Sequence, residues 1–214
     1  SRDENRLSQF NVPMLHSAGW YYFYKAGAIE MFSALQEHGG PGARGNQKLL
    51  IGPWGHGVLQ EQTPDQPLVL PGGMTYPSHA RLDWPRDVWL PWFDHWLKGK
   101  PTGVMKQPAV RYFLMGSMDA TGGPGNRWIE SDSFPPPADD VAYYAHADGQ
   151  LWAEHPAVAE ASKQYRYDPH DPVPTVGRAH ARLPVTGPFD QQPVESREDV
   201  LTFTTAPLAE PLQI

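Results

Sequence analysis

The spacing of apolar and polar positions changes character once along the chain, near residue 106. Upstream of that point, residues 12–18 (VPMLHSA) form a short apolar run entered by Pro13, which predicts a buried strand delivering the loop GWYYFYKAG. Over residues 27–38, Ile29, Phe32 and Leu35 recur on one face with Met31 alongside. That is a helical period, and Gly39-Gly40 ends it. Residues 48–51 (KLLI) predict a second buried strand, stopped by Gly52-Pro53. Strand, loop, helix, strand is the order of an α/β fold. Residues 57–82 are irregular and rich in Pro and Gly. Trp89, Trp92, Phe93, Trp96 and Leu97 then fall at helical spacing and predict an amphipathic helix with a heavy apolar face. Pro91 inside it predicts a kink or a late start, and Gly99 and Pro101 close it.

Beyond residue 106 the period becomes two. The runs AVRYFLMG, RWIES, VAYYAHA, QYRYD and DVLTFTT predict short strands, separated by the turn clusters ATGGPGN, HADGQ and DPHDPVP. No helical pattern intervenes, so this half reads as a β-sandwich. The expected division is therefore an α/β part over 1–106 and an all-β part over 107–214. A jelly roll needs about eight strands, so this second part reads as incomplete. The polar start, SRDENRLSQF, reads as a cut into a longer protein.

Composition narrows the function class. With 40% hydrophobic and 19% charged residues, the chain can bury a real core. Its 20 Gly and 24 Pro fit many turns between short strands. A net charge of −7 without a basic stripe argues against nucleic acid as a partner. Cysteine is absent, which excludes disulfides and thiolate metal sites. No apolar run has the length of a membrane helix. The compartment, cytoplasmic or secreted, stays open. The histidines show no compact ligand spacing, so no metal is expected, and no Gly-rich phosphate loop with a Lys is present. No cofactor is implied.

The sharpest chemical feature is Ile51-Gly-Pro-Trp-Gly-His56-Gly. A strand ends there, and ligand sites of open α/β sheets gather beyond the carboxyl ends of strands. An imidazole at that place suits proton transfer, because its pKa lies near neutrality. The alternative is a loop histidine that only packs or hydrogen-bonds. The second feature is the aromatic run Trp20-Tyr21-Tyr22-Phe23-Tyr24, which either lines a pocket or folds back onto the core. His95, His146, His155, His170 and His180 lie on a helix edge or among strands and turns. No serine sits in a G-x-S-x-G window: Ser17 (LHSAG) lacks the first glycine, and Ser117 (MGSMD) lies in the strand-rich half. This chain alone therefore lacks the nucleophile for serine hydrolysis.

Several segments, in order, resemble one family. They are Val12-Pro…Gly19-Trp-Tyr, Leu50-Ile-Gly-Pro-Trp-Gly-His56, Trp92-Phe-Asp-His-Trp-Leu-Lys-Gly99, and Val110-Arg-Tyr-Phe-Leu-Met-Gly116. Tyr167-Asp-Pro-His-Asp-Pro-Val-Pro-Thr-Val-Gly177, Gly187-Pro-Phe-Asp-Gln191 and Arg197-Glu-Asp-Val-Leu201 follow. The set is similar to the cocaine esterases, X-prolyl dipeptidyl aminopeptidases, α-amino acid ester hydrolases and cephalosporin acylases. The resemblance implies the C-terminal part of an α/β-hydrolase domain followed by a jelly roll, with the nucleophilic serine and a helical cap upstream. It implies a small ester, amide or short-peptide substrate. It makes His56 the triad base and places Tyr22 where the family carries the triad acid. By the same analogy Trp20, Tyr21 and Tyr24 border the acyl pocket. A tyrosine does not replace a carboxylate, so three readings stay open. The acid comes from elsewhere, with Glu30 on the next helix the nearest candidate; or the protein is a degenerate member; or Tyr22 hydrogen-bonds the histidine. A non-catalytic binding relative is the alternative function.

Overall fold

The computed structural model describes residues 4–56, 65–116, 124–157, 162–177, 186–210 and 212. The chain divides into two compact units: Ser1–Pro137 with Gly177–Phe189, and Ala138–Val176 with Asp190–Ile214.

The first unit is built on a four-stranded sheet. Helix α1 (Glu4–Leu7) precedes β1 (Met14–Tyr21), α2 (Lys25–His38) and β2 (Gln47–Gly55). A two-stranded ribbon, β3 (Leu68–Val69) and β4 (Thr75–Tyr76), follows. Then come a π-helix (Trp84–Trp89), α3 (Leu90–Lys98), β5 (Val110–Leu114) and β6 (Arg127–Ser131). The sheet order is β1-β2-β5-β6, with β1, β2 and β5 parallel and β6 antiparallel to β5.

Sidedness follows from the two-residue period of a strand. Leu49, Ile51, Val110 and Tyr112 pack on one face with Phe32 of α2. Leu50, Trp54 and Phe113 pack on the other with Tyr76, Leu82 and Trp84. Helix α2 exists because Phe32 and Leu35 share its inward face, and both are buried. Strand β2 is buried at all nine positions, as a parallel strand covered on both faces must be.

Two strands run further than the sequence pattern predicts. β1 continues through Trp20 and Tyr21, which the pattern assigns to a loop. β2 continues through Gly52-Pro53, which the pattern reads as a stop. Proline is tolerated because pairing with β5 covers only Leu49–Ile51. The ladder to β1 is also irregular there: Gly19 pairs with Gly52, and Tyr21 pairs with Gly55. One extra residue on β2 makes this a bulge, a place where a missing N–H costs little. Gly19 permits the close approach of the two strands, since a Cβ there would lie 1.9 Å from the Trp54 carbonyl oxygen.

The Trp-rich segment starts late, as Pro91 allows: proline occupies the first turn of α3, behind the six-residue π-helix. Of its apolar face only Trp92 is buried, while Trp89, Leu90, Phe93 and Leu97 stay exposed. Among the described residues, no helix is long and apolar enough to cross a membrane.

The amino-terminal ends of the strands are held by a polar hub. Gln47 is fully buried; its Nε2 donates to the carbonyls of Ala43 (2.7 Å) and Val12 (3.3 Å). Its Oε1 is thereby fixed as an acceptor and lies 2.9 Å from His16 Nε2, so that nitrogen carries the proton. Burial lowers the His16 pKa, opposed by this hydrogen bond. Lys48, next along β2, donates to the carbonyls of Gln107 and Pro108, and burial lowers its pKa too. The His16 shift has a consequence with a definite sign. A histidine whose folded pKa is depressed contributes stability above its unfolded pKa, near 6.5. That contribution is lost as pH falls through the folded pKa. The melting temperature is expected to drop between pH 7 and pH 5, and less in His16→Asn; thermal melts of both proteins across that range check it.

The division expected near residue 106 lies inside the first compact unit. The runs at 109–116 and 127–131 do form strands, β5 and β6, but they extend the first sheet. The physical reason is that β5 offers β2 a parallel neighbour of matching apolar alternation.

The second unit holds a hairpin, β7 (Tyr144–Ala145) with β8 (Leu151–Trp152), and a short helix, α4 (Gln192–Glu195). The hairpin turn is closed by Asp148, whose Oδ1 accepts from Gln150 N at 3.0 Å. Thr204 adds an isolated parallel bridge to Gln150. Arg197 ties the Asp-Pro-rich stretch down: it meets Asp199 at 2.7 Å and Asp171 at 3.2 Å. That pairing holds the Asp199 carboxyl below its usual range. The runs QYRYD and DVLTFTT, expected as strands, are irregular apart from the bridge at Thr204. Tyr165 and Tyr167 are 61% and 62% exposed, so among the described residues their period-two pattern has no second layer to pack on.

Candidate active site

Strands β1 and β2 are parallel, so their carboxyl ends open on the same edge of the sheet. Tyr21 pairs with Gly55 there, and the next residue of each strand leaves the ladder. Those two residues are Tyr22 and His56. Their rings lie stacked, with centroids 5.3 Å apart and planes 5° from parallel. Phe23 also meets His56, at 5.5 Å and 59°, and Tyr24 meets Tyr22 edge-on at 5.8 Å. His56 is exposed, as are Phe23 and Tyr24. Gly55 lets the methyl of the buried Thr186 press against the strand beside His56; a Cβ at Gly55 would lie 2.1 Å from that methyl.

The residues singled out from the sequence separate into two groups. His56, Tyr22 and Tyr24 come together at the strand ends. Trp20 and Tyr21 do not join them, because β1 runs on to Tyr21 and alternation sends the two rings to opposite faces. Trp20 packs with Tyr112 and Phe134, and its Nε1 donates to the Phe113 carbonyl at 2.7 Å. Tyr21 packs into the other core cluster and hydrogen-bonds Tyr76, and burial pushes its phenol up. Burial raises the Tyr76 phenol as well. Glu30 is exposed on α2 in a groove with Ile29, Ser33, Glu37, Phe134 and Pro135, and His56 does not line that groove. Among the described residues, ring contacts are what surrounds the His56 imidazole, and no carboxylate hydrogen-bonds it. Phe23 is the neighbour of His56 that sequence reasoning did not single out. Its signal is its place within the aromatic run.

Several other histidines among the described residues are held in local structure. His16 belongs to the Gln47 hub, at the opposite end of the strands from His56. His79 Nε2 lies 2.7 Å from the Asn126 carbonyl, and His146 Nε2 lies 3.1 Å from that of Glu154. His180 and Ser117 lie outside the described residues. Among the described residues, no group of three or more acidic or histidine side chains is placed to hold a metal ion.

Known proteins share both halves of the chain. Residues 102–214 match the X-Pro dipeptidyl-peptidase C-terminal non-catalytic domain, and residues 1–58 match the X-Pro dipeptidyl-peptidase S15 family. The chain is 27% identical over 221 residues to the cocaine esterase of Rhodococcus sp. (strain MB1 Bresler), covering 98% of this chain and 35% of that protein. It is 29% identical over 202 residues to a candidate serine esterase of Mycobacterium bovis, covering 92% of this chain and 28% of the relative. The chain thus spans about a third of the length of these curated relatives. The crystal structure of a CocE/NonD family hydrolase from Staphylococcus aureus overlays 68% of this chain and 21% of that one, at a TM-score of 0.43 and 16% identity. The domain match covers more than half of the sequence, and the S15 match ends two residues past His56. The chain belongs to the cocaine esterase/X-Pro dipeptidyl-peptidase family of hydrolases.

Proposed function

We propose that the protein carrying this chain is a serine hydrolase of esters or amides, and that this chain supplies its general base, His56. The observation that carries the reading is the place of His56: exposed, one residue beyond the carboxyl end of a fully buried central strand. An upstream serine attacks the substrate carbonyl through Oγ while His56 takes the Oγ proton. The bond from carbonyl carbon to the leaving oxygen or nitrogen then breaks, and His56 returns the proton to that atom. Water, deprotonated by the same imidazole, releases the acid and restores the serine. Backbone N–H groups outside this chain hold the oxyanion. Phe23, exposed beside His56, and Tyr24, exposed beside Tyr22 and Phe23, are the wall residues this reading keeps. The jelly-roll part expected over 107–214 is kept in this reading only for what lies beyond β6, since β5 and β6 belong to the first sheet; the non-catalytic domain match begins at residue 102.

A second reading is supported by Tyr22. With a tyrosine in place of the acid, a relative that kept the scaffold and binds ligands without hydrolysing them is the alternative. Stopped-flow hydrolysis of a p-nitrophenyl ester by the full-length protein separates the two. The hydrolase reading expects a burst of p-nitrophenol equal to the enzyme concentration, then steady turnover. Absence of both burst and turnover would favour the binding relative.

A further inference from the structure

The stack of Tyr22 on His56 bears on how an imidazole with no carboxylate partner among the described residues is aimed. In a Ser-His-acid triad the carboxylate accepts the Nδ1–H, and so fixes the ring's tautomer, its rotation and the imidazolium charge. Tyr22 does none of this by hydrogen bonding. The N–H bonds of an imidazole lie in its own plane, and the Tyr22 ring lies in a plane 5° from parallel to it, with centroids 5.3 Å apart. Parallel rings in contact are about 3.5 Å apart, so these two are offset sideways, the favoured arrangement for ring pairs. Such a contact constrains the tilt of the imidazole plane. It also presents a π face that is attracted to imidazolium.

The strand geometry makes the contact a built one. Tyr21 and Gly55 are register partners at the ends of two parallel strands, so Tyr22 and His56 leave the sheet side by side. The bulge opposite Trp20 sets that register. Without the extra residue on β2, Tyr21 would face Trp54, and Tyr22 would leave the sheet beside Gly55 instead of His56. Phe23 and Tyr24 pack on Tyr22 at 4.9 Å and 5.8 Å, and so hold its ring in turn.

We infer that Tyr22 is a positioning residue for His56, setting the plane of the base through its ring face rather than through its hydroxyl. The inference rests on the reading of His56 as the base. It differs from a hydrogen-bonding substitute for the acid in what each substitution does.

The test uses the full-length protein with Tyr22→Leu and Tyr22→Phe. Leucine keeps apolar bulk but has no π face; phenylalanine keeps the face and loses the hydroxyl. For p-nitrophenyl ester hydrolysis, Tyr22→Leu is expected to lower kcat roughly tenfold, the scale of one aromatic contact, with KM little changed. Tyr22→Phe is expected to recover most of that loss. Independently of activity, the His56 ring protons, labelled at 13Cε1 and assigned by His56→Gln, are expected to move downfield in Tyr22→Leu and to stay put in Tyr22→Phe. A loss in Tyr22→Phe as large as in Tyr22→Leu would mean that the hydroxyl acts, and would overturn the inference. So would His56 resonances that ignore Tyr22→Leu. Hydrolysis that depends on His56 but not on a ring at position 22 refutes the positioning role alone; hydrolysis that does not depend on His56 refutes the base reading beneath it.

Discussion

Replacing His56 with Ala is expected to lower kcat for a simple phenyl ester by about 10²-fold or more, with KM nearly unchanged, because triad residues act as a unit and Tyr22 already stands at the acid position. The size follows from what the imidazole does in the proposed mechanism. A serine hydroxyl is a poor nucleophile until a base takes its proton, and the leaving group departs poorly until an acid supplies one. One ring performs both transfers, so its removal affects acylation and deacylation together. The residual rate comes from binding and the oxyanion donors. His146, whose Nε2 rests against the Glu154 carbonyl in the second unit, is the natural control. His146→Ala is expected to leave kcat unaltered. Steady-state kinetics of both variants of the full-length protein check the pair. A His56→Ala protein with wild-type kcat would remove this residue from the chemistry.

The second large effect is structural. Gly19→Ala is expected to destabilise the fold by about 3 kcal/mol or more. The new methyl would sit 1.9 Å from the Trp54 oxygen and 2.6 Å from Trp54 Cδ1. Neither atom can retreat easily, because β2 is buried along its whole length and Trp54 packs against Trp84 and Trp128. The strain falls at the bulge that sets the register of Tyr21 against Gly55, so whatever folds should also lose the Tyr22–His56 contact. Gly27 is the contrast. Nothing lies within 4 Å of a Cβ built there, and it sits in α2. Gly27→Ala is expected to stabilise by up to about 1 kcal/mol, since alanine loses less freedom in a helix. Urea unfolding midpoints of the two variants against wild type measure both signs at once.

Much of the first unit is legible in the sequence because two periods are enough to specify it. Ile29, Phe32 and Leu35 announce α2, and the run at 48–51 announces the core of β2. The ends of the strands are not legible. Gly52-Pro53 reads as a stop, yet a bulge against β1 accommodates the proline. An early end to β1 then hides where Trp20 and Tyr21 point, since facing depends on whether a residue is still in the strand. A Trp-rich stripe can be read from spacing, but spacing does not say what covers it, and Phe93 and Leu97 remain 50% and 76% exposed. Period-two runs such as QYRYD need a partner strand to become one, and pairing is not written in the run itself. His56 stands out because a glycine-flanked histidine directly follows an apolar strand. Its stack with Tyr22 depends on the register of β1 against β2, including the bulge, which no local pattern encodes.

Fluorophosphonate labelling of the full-length protein, read by intact mass and peptide mapping, tests whether His56 activates a serine. The reagent reports a serine activated by a base. A single adduct is expected, on a serine outside these 214 residues, whose formation slows sharply in His56→Ala. No adduct, or an adduct that forms as fast without His56, would contradict that activation.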